Sequence, residues 1–500
     1  MKIVKRLIRI LLCLLVVSMF TACKKDDTTE AAKVTTTTEV PTDVVATVEP
    51  TEALSDKPLE LTLGIWPADN YPDEIALHQG YTAEFATTHP DITVVPANYS
   101  YSADTLISLS KSGGLPVIFQ TYYTDAQKII DGGYVADITD ILDKRGWLQE
   151  LNPSIKGLIS KDGRIYGIPC NGYALGLMIN VALFKEAGIV DADGLPIYPK
   201  TWTELAETGK KIKDATGAAG LCLLAEDNAG GWQFTNIAWD FGATLVAENP
   251  EGGFTCELDS TEAIAAMEYV KSLKWKYDIL TADPTAENFT TGFAQLGTDA
   301  AAMYIASDDS VAEPTHTNGL PVEDLSLAPL PAGPDGKQYS LFGGTPYMFS
   351  KTATDDQINA ALDYIAIMGR GPDLDADSYE ATCKYRVESG IPVIPNFPFW
   401  INQAFNDQET SIINKYANVD MRLYQDFFDS VKQEGNIHLE IPGITDIMYG
   451  EFTTVIQAVL ADKNADVAAL MKKADENYQQ YLDSSISNSQ IFDTAKKASK

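Results

Sequence analysis

The apolar positions of the chain change period repeatedly. Residues 59–66, LELTLGIW, alternate apolar and polar side chains, the two-residue repeat of a strand with one covered face. Residues 73–87 switch to helical spacing, with Ile75, Leu77, Tyr81 and Phe85 among the apolar positions. DITVVP at 91–96 predicts a second strand, 105–112 a helix, and LPVIFQ at 115–120 a short apolar strand of the buried, parallel kind. A helix at 124–131 follows, and VADITDIL at 135–142 leads into a further short element. Strands alternating with helices imply a mostly parallel sheet covered on both faces, an α/β fold.

The stretch 162–190, DGRIYGIPCNGYALGLMINVALFKEAGIV, reads differently. A turn at Asp162-Gly163 precedes a long extended run, broken by Pro169, Asn171 and Gly172, and a short helix ends at Gly188. A strand that leaves one compact unit and enters another has this form, with Tyr173 at the junction. Beyond it, PKTWTEL opens a helix that Thr201 or Thr203 can cap. Residues 220–224 read as a strand, Gly230-Gly-Trp232 as a loop, 234–240 and 260–277 as helices. Residues 288–296 and 300–305 give helix then strand, PAGPDG is a turn, and LFGGTPYMFS at 341–350 is a second candidate junction. From Asp355 the pattern is chiefly helical, with two long helices in 449–482.

The first residues change the picture. Lys2, Lys5, Arg6 and Arg9 precede an apolar run at 10–20 that is short for a membrane span, and Thr21-Ala22-Cys23 follows. This predicts a lipoprotein signal peptide at 1–22 with Cys23 as the lipidated first residue of the mature chain. Residues 23–57 are rich in Thr, Glu, Val, Ala and Asp and contain no aromatic side chain, so they predict a disordered tether. The rest is long enough for two or three domains.

A formal charge of −33 argues against nucleic acid as a partner. The six cysteines form no CxxC pair, and Cys170, Cys222, Cys256 and Cys383 read as buried thiols. The four histidines share no ligand spacing, and no HExxH, GxSxG or Walker A pattern occurs. Asp373-Leu-Asp375-Ala-Asp377 begins like a calcium loop but lacks its later glycine and glutamate, so no metal is expected. No cofactor is expected either.

In their order, these segments resemble the extracellular solute-binding proteins of bacterial ABC importers, family 1, the group that includes maltose-binding protein. The resemblance rests on LTLGIW, FATTHPDITVV, LPVIFQ, ADITDIL, the 162–189 stretch, YPKTWTEL, GFAQLGTDAAAMYI, LPAGPDGK with FGGTPYMFS, and FTTVIQAVLADKNADVAALMKKADENYQQYLD. It implies a two-lobed periplasmic-binding-protein-like fold with a mostly helical C-terminal part. Three hinge crossings are implied near 168–177, 304–306 and 347–350. The lobes would be 58–172 with 305–348, and 173–304 with 349–500. The resemblance further implies a non-catalytic, monomeric receptor passing its solute to an ABC permease, and the lipid anchor with its long spacer points to the extracellular face of a Gram-positive-type membrane. A secreted polysaccharide-active enzyme, or the same fold with a non-sugar ligand, is the alternative.

A sugar presents apolar faces for aromatic rings and a rim of hydroxyls for carboxylates and amides. Trp66, Tyr122, Tyr123, Tyr173, Trp232, Asp308, Asp309 and Tyr347 lie at predicted strand ends or crossings, and Trp400 lies in a long later insert. They are the candidate ligand contacts, with Asn171 as a further amide. Their density favours a carbohydrate, and an oligosaccharide in particular.

Overall fold

The structure is a computed structural model that describes residues 59–69, 71–249, 253–440 and 445–484. The expected signal peptide, Cys23 and the tether lie outside the described residues.

A sheet of eight strands organises the chain. These are β1 (Leu59–Gly64), β2 (Ile92–Pro96), β3 (Ile118–Gln120), β4 (Gly167–Asn180), β5 (Met303–Ser307), β6 (Leu325–Ala328), β7 (Ser340–Phe349) and β8 (Ile437–His438). The longer helices are α1 (Pro72–Thr88), α2 (Ala103–Ser112), α3 (Tyr123–Gly132), α4 (Trp202–Thr216), α5 (Ala229–Asp240) and α6 (Thr261–Trp275). They continue with α7 (Phe289–Gly297), α8 (Asp355–Ile367), α9 (Ala376–Ser389), α10 (Gln403–Lys415), α11 (Thr445–Ala461) and α12 (Val467–Ser484). The main order is β6-β4-β7-β3-β1-β2, with β5 on β4 and β8 on β7. β1, β2 and β3 are parallel, but the sheet is mixed and not mostly parallel as the alternation predicted, because β4 is antiparallel to β5, β6 and β7, and β7 is antiparallel to β3.

Local chemistry explains most boundaries. The Thr201 hydroxyl accepts the Glu204 N–H at 3.1 Å and starts α4. Asn288 with Thr291, and Thr354 with Gln357, form reciprocal caps at the heads of α7 and α8. Gly133, Gly217 and Gly390 end their helices in the left-handed conformation. Gly230-Gly-Trp232, expected as a loop, lies inside α5. A Cβ on Gly231 would stand 2.2 Å from the Tyr449 carbonyl oxygen, so the missing side chain lets α5 cross α11 backbone to backbone. That packing outweighs the poor helix propensity of glycine. Residues 220–224 are not a strand; Cys222 makes an isolated bridge to Tyr304, and Ala219, just before them, makes one to Ala301.

The apolar positions gather into separate cores. Leu61, Leu63, Phe85, Ile118, Phe349 and Tyr364 belong to one on the β1–β3 side. Trp202, Phe234, Met267, Phe452 and Met471 belong to another built on α4, α5, α6, α11 and α12. β4 and β7 run from the first body to the second. The first part of β4 pairs with β7, and its second half pairs with β5 and β6. At the level where the register shifts, Pro169 stands opposite Pro346. Neither proline carries an N–H, so the ladder is thinnest there.

Two expectations about the crossings change. β5, expected to lead into the first lobe at 304–306, flanks the second half of β4, and β6 flanks the same half, so 305–328 stay with the second body. α8, expected in the second lobe, packs on α1 and β1. An apolar pattern records that a face is covered but not by which partner. The return to the second body passes instead through 370–440, a brace bonded to both bodies. Asn152 donates from Nδ2 to the Pro398 carbonyl at 2.6 Å, and Trp147 meets Trp400 edge to face at 5.7 Å. At the other end the Tyr424 hydroxyl donates to the Leu325 carbonyl at 2.8 Å, and Ser326 to that of Leu423 at 2.6 Å. Cys170, Cys222, Cys256 and Cys383 are buried and free.

Candidate functional site

A cavity of about 630 Å³ opens between the first half of β4 and the brace. β4 contributes Pro169 to Tyr173, the turn after β5 contributes Asp308 and Asp309, and β7 contributes Gly344. The brace contributes Arg370, Arg386, Asn396, Phe397, Phe399, Trp400, Glu409 and Lys432. The wall therefore mixes aromatic rings with amides, carboxylates and cations, the combination that holds a polar solute with apolar faces.

The position of each group follows from the strands. Asp308 comes directly after β5, and its carboxylate accepts the Ala174 N–H of β4 at 2.9 Å. Burial raises its proton affinity to a pKa of about 7; the Ala174 N–H opposes that rise and Asp309 adds to it. Asp309 is exposed and accepts the Ser307 hydroxyl at 2.6 Å. Tyr173 is half-buried and leans over Gly343, where a Cβ would stand 2.6 Å from its ring. Burial pushes the Tyr173 phenol up to about 12, helped by Glu440 and Asp309, while a hydrogen bond with Trp232 acts the other way. Asn171 uses its side-chain oxygen to accept both the N–H and the hydroxyl of Thr345 at 3.1 Å. Glu409 is buried and accepts the Asn396 N–H at 3.1 Å, and burial raises its pKa as well.

The structure thus brings together Asn171, Tyr173, Asp308, Asp309 and Trp400 around the cavity, and Trp232 stands beside Tyr173. Trp232 also meets Phe289 edge to face at 5.1 Å. Trp66 lies in the loop after β1 against His78, at 5.3 Å, and does not line this cavity. Tyr122 is 55% exposed at the head of α3 and packs perpendicular to Tyr101. Tyr123 and Tyr347 are core residues, 1% and 2% exposed, the first against Phe342 and the second beside Cys170. A strand end for Tyr123 and a crossing for Tyr347 suggested contact, but adjacent residues on an element face different ways.

Sequence reasoning missed Arg370, Arg386, Asn396, Glu409 and Glu440. Glu440 lies near Tyr173, with its own pKa pushed to about 7 by burial and then by Asp446. Gly369-Arg370-Gly371 was the one local signal, a charged residue held between two glycines at the end of α8.

Comparison with known proteins agrees with this architecture. The model of the bacterial extracellular solute-binding protein family matches residues 71–369, more than half of the chain, and the chain belongs to that family. The sn-glycerol-3-phosphate-binding periplasmic protein UgpB of Yersinia enterocolitica is 23% identical over 320 residues, covering 60% of this chain and 68% of that one. The chain spans about half the length, 48%, of the protein of the same name in Yersinia pestis. Among solved structures, the cyclic alpha-maltosyl-1,6-maltose binding protein of Arthrobacter globiformis superposes with a TM-score of 0.57 at 19% identity, covering 85% of this chain and 99% of that one. UgpB of Mycobacterium tuberculosis, in complex with glycerophosphocholine, gives a TM-score of 0.54 at 16% identity, covering 86% and 99%. The fold is two-lobed and of the periplasmic-binding-protein kind.

Proposed function

We propose that this chain is the lipid-anchored substrate-binding component of an ABC importer, and that it captures a carbohydrate, an oligosaccharide in particular, by closing its lobes. One observation carries the reading. The cavity beside the crossing strand sets the rings of Tyr173, Phe399 and Trp400 among Asn171, Asn396, Asp308 and Asp309. Rings cover sugar faces, and amides and carboxylates bond the hydroxyl rim. Closure bends β4 and β7 where Pro169 faces Pro346. The first lobe comprises the β1–β3 body with α8, the second the α4–α6 and α11–α12 body with β5 and β6, and 370–440 spans them. Cys23 carries the lipid, residues 24–57 act as spacer, and a membrane permease receives the solute. Trp66, Tyr122 and Trp232 join the contacts when the lobes close. Binding involves no chemical change in the ligand.

A thermal-shift screen over neutral and acidic oligosaccharides and glycerophosphodiesters tests the reading, with recovery of the ligand intact. A matching ligand raises the Tm and reduces the radius of gyration. Trp232→Ala and Trp66→Ala each weaken the best hit by about tenfold or more. A tight ligand that produces no compaction sinks closure, and cleavage of the sugar sinks the receptor reading.

A further inference from the structure

Five arginines lie among the described residues. Arg145 pairs with Asp363, Arg164 with Asp137 and Asp140, and Arg422 with Asp193 and Asp420. Arg370 and Arg386 make no ion pair with a carboxylate among the described residues, and both line the same cavity. In a chain with 70 acidic and 37 basic side chains, an arginine has acidic partners in abundance. Here two guanidiniums without a contacting carboxylate stand on one wall.

Arg370 spends one N–H on the Cys170 carbonyl of β4 at 3.3 Å, and Arg386 spends one on the Ile394 carbonyl at 3.1 Å. Backbone oxygens steady both planar groups and leave most of their donors unused. Lys432 adds a third cation to the wall and lies 3.5 Å from Asp429. The nearby carboxylates offset the site only in part. Glu409 is buried, accepts the Asn396 N–H and feels Lys432 and Arg386 through space without an ion-pair contact to Arg386, and Asp308 is buried and bonded to the Ala174 N–H. Only Asp309 among the three is exposed.

We propose that the solute carries an anionic group, a phosphate ester or a carboxylate on a polyol or sugar, and that Arg370 and Arg386 receive it. This rests on the receptor reading above and narrows it. The planar guanidinium fork matches either oxyanion, and the aromatic wall takes the carbon skeleton. Arg370 stands where the first lobe passes into the brace, so an anion bound there also meets the strand about which the lobes close.

The test pairs charged and neutral probes of the same skeleton by calorimetry: glycerol 3-phosphate and glycerophosphodiesters against glycerol, and galacturonate oligomers against neutral oligosaccharides of equal length. The phosphate and uronate arms identify which oxyanion the site takes. An anionic probe is expected to bind at least tenfold tighter than its neutral partner. Arg370→Gln should weaken the anionic probe by about tenfold to a hundredfold, with Arg370→Lys intermediate and the neutral probe weakened much less. Arg386→Gln supplies a second variant should the first unfold, with Tm reporting folding in each. A neutral oligosaccharide bound tightly, with affinity indifferent to both substitutions, overturns the anion assignment and leaves the receptor reading standing. Saturable binding by none of the probes overturns both.

Discussion

At the scale of single residues, Asp308 is a group through which pH acts on stability. Its carboxyl is buried, and its pKa of about 7 in the folded chain lies well above that of an ordinary aspartate. Between about pH 4 and 7 the folded state therefore holds more protons than the unfolded chain, and stability falls as pH rises through that window, then levels off. Asp308→Asn removes the contribution. The native protein is expected to lose roughly 2–4 °C of Tm more than the variant between pH 4.5 and 7.5 in a thermal melt, and equal slopes would discount the burial argument. Glu440 titrates in the same direction and leaves part of the slope in both proteins. Which of the candidate contacts could be read from sequence also becomes plain at this scale. Tyr173, Asp308, Asp309 and Trp400 reached the cavity because strand ends and crossings do line it. Tyr123 and Tyr347 did not, because position along a strand says nothing of which face a side chain takes. Arg370 and Arg386 were illegible, since what distinguishes them is the absence of a partner, and partners are set by the fold.

Among elements, α5 shows how a weak local signal is overruled. Its two glycines read as a loop, yet they are helical because α11 lies against them. Gly231→Ala would place a methyl group 2.2 Å from the Tyr449 carbonyl oxygen. The helices must part, at a cost of about 1–3 kcal/mol, and Trp232 on the next position must move with them. A lower Tm together with weaker ligand binding is expected, and a variant with native Tm would show that α5 and α11 can shift freely. The strand-helix alternation of 59–132 was legible in sequence because each element there keeps its own apolar period, although β3 pairs with β1 and not with β2. The later elements were less so. β5, β6 and α8 carry apolar patterns that suit either body, and only pairing with β4 or packing on α1 decides between them.

For the whole molecule, the closure proposed above would make the brace the element that limits how far the lobes part. Asn152 is fully buried, caps Ser154 and holds the Pro398 carbonyl, so it fixes the first-lobe end of the brace without lining the cavity. Asn152→Ala removes those bonds. The unliganded protein should then show a larger radius of gyration by small-angle scattering and a lower Tm, while the ligand-bound form keeps its native dimensions. An unchanged unliganded form would mean that β4 and β7 alone limit opening.

Trp147 and Trp400, edge to face across the join of first lobe and brace, have a further consequence. Indole emission responds to the ring beside it and to the water around it, and both rings are nearly dry, at 8% and 6% exposure. Any slip of the brace changes that surrounding for both at once. Because the chain holds seven tryptophans, a Trp147→Phe or Trp400→Phe variant is needed to assign that signal, and the emission lost in the variant would follow the proposed lobe motion without an attached dye.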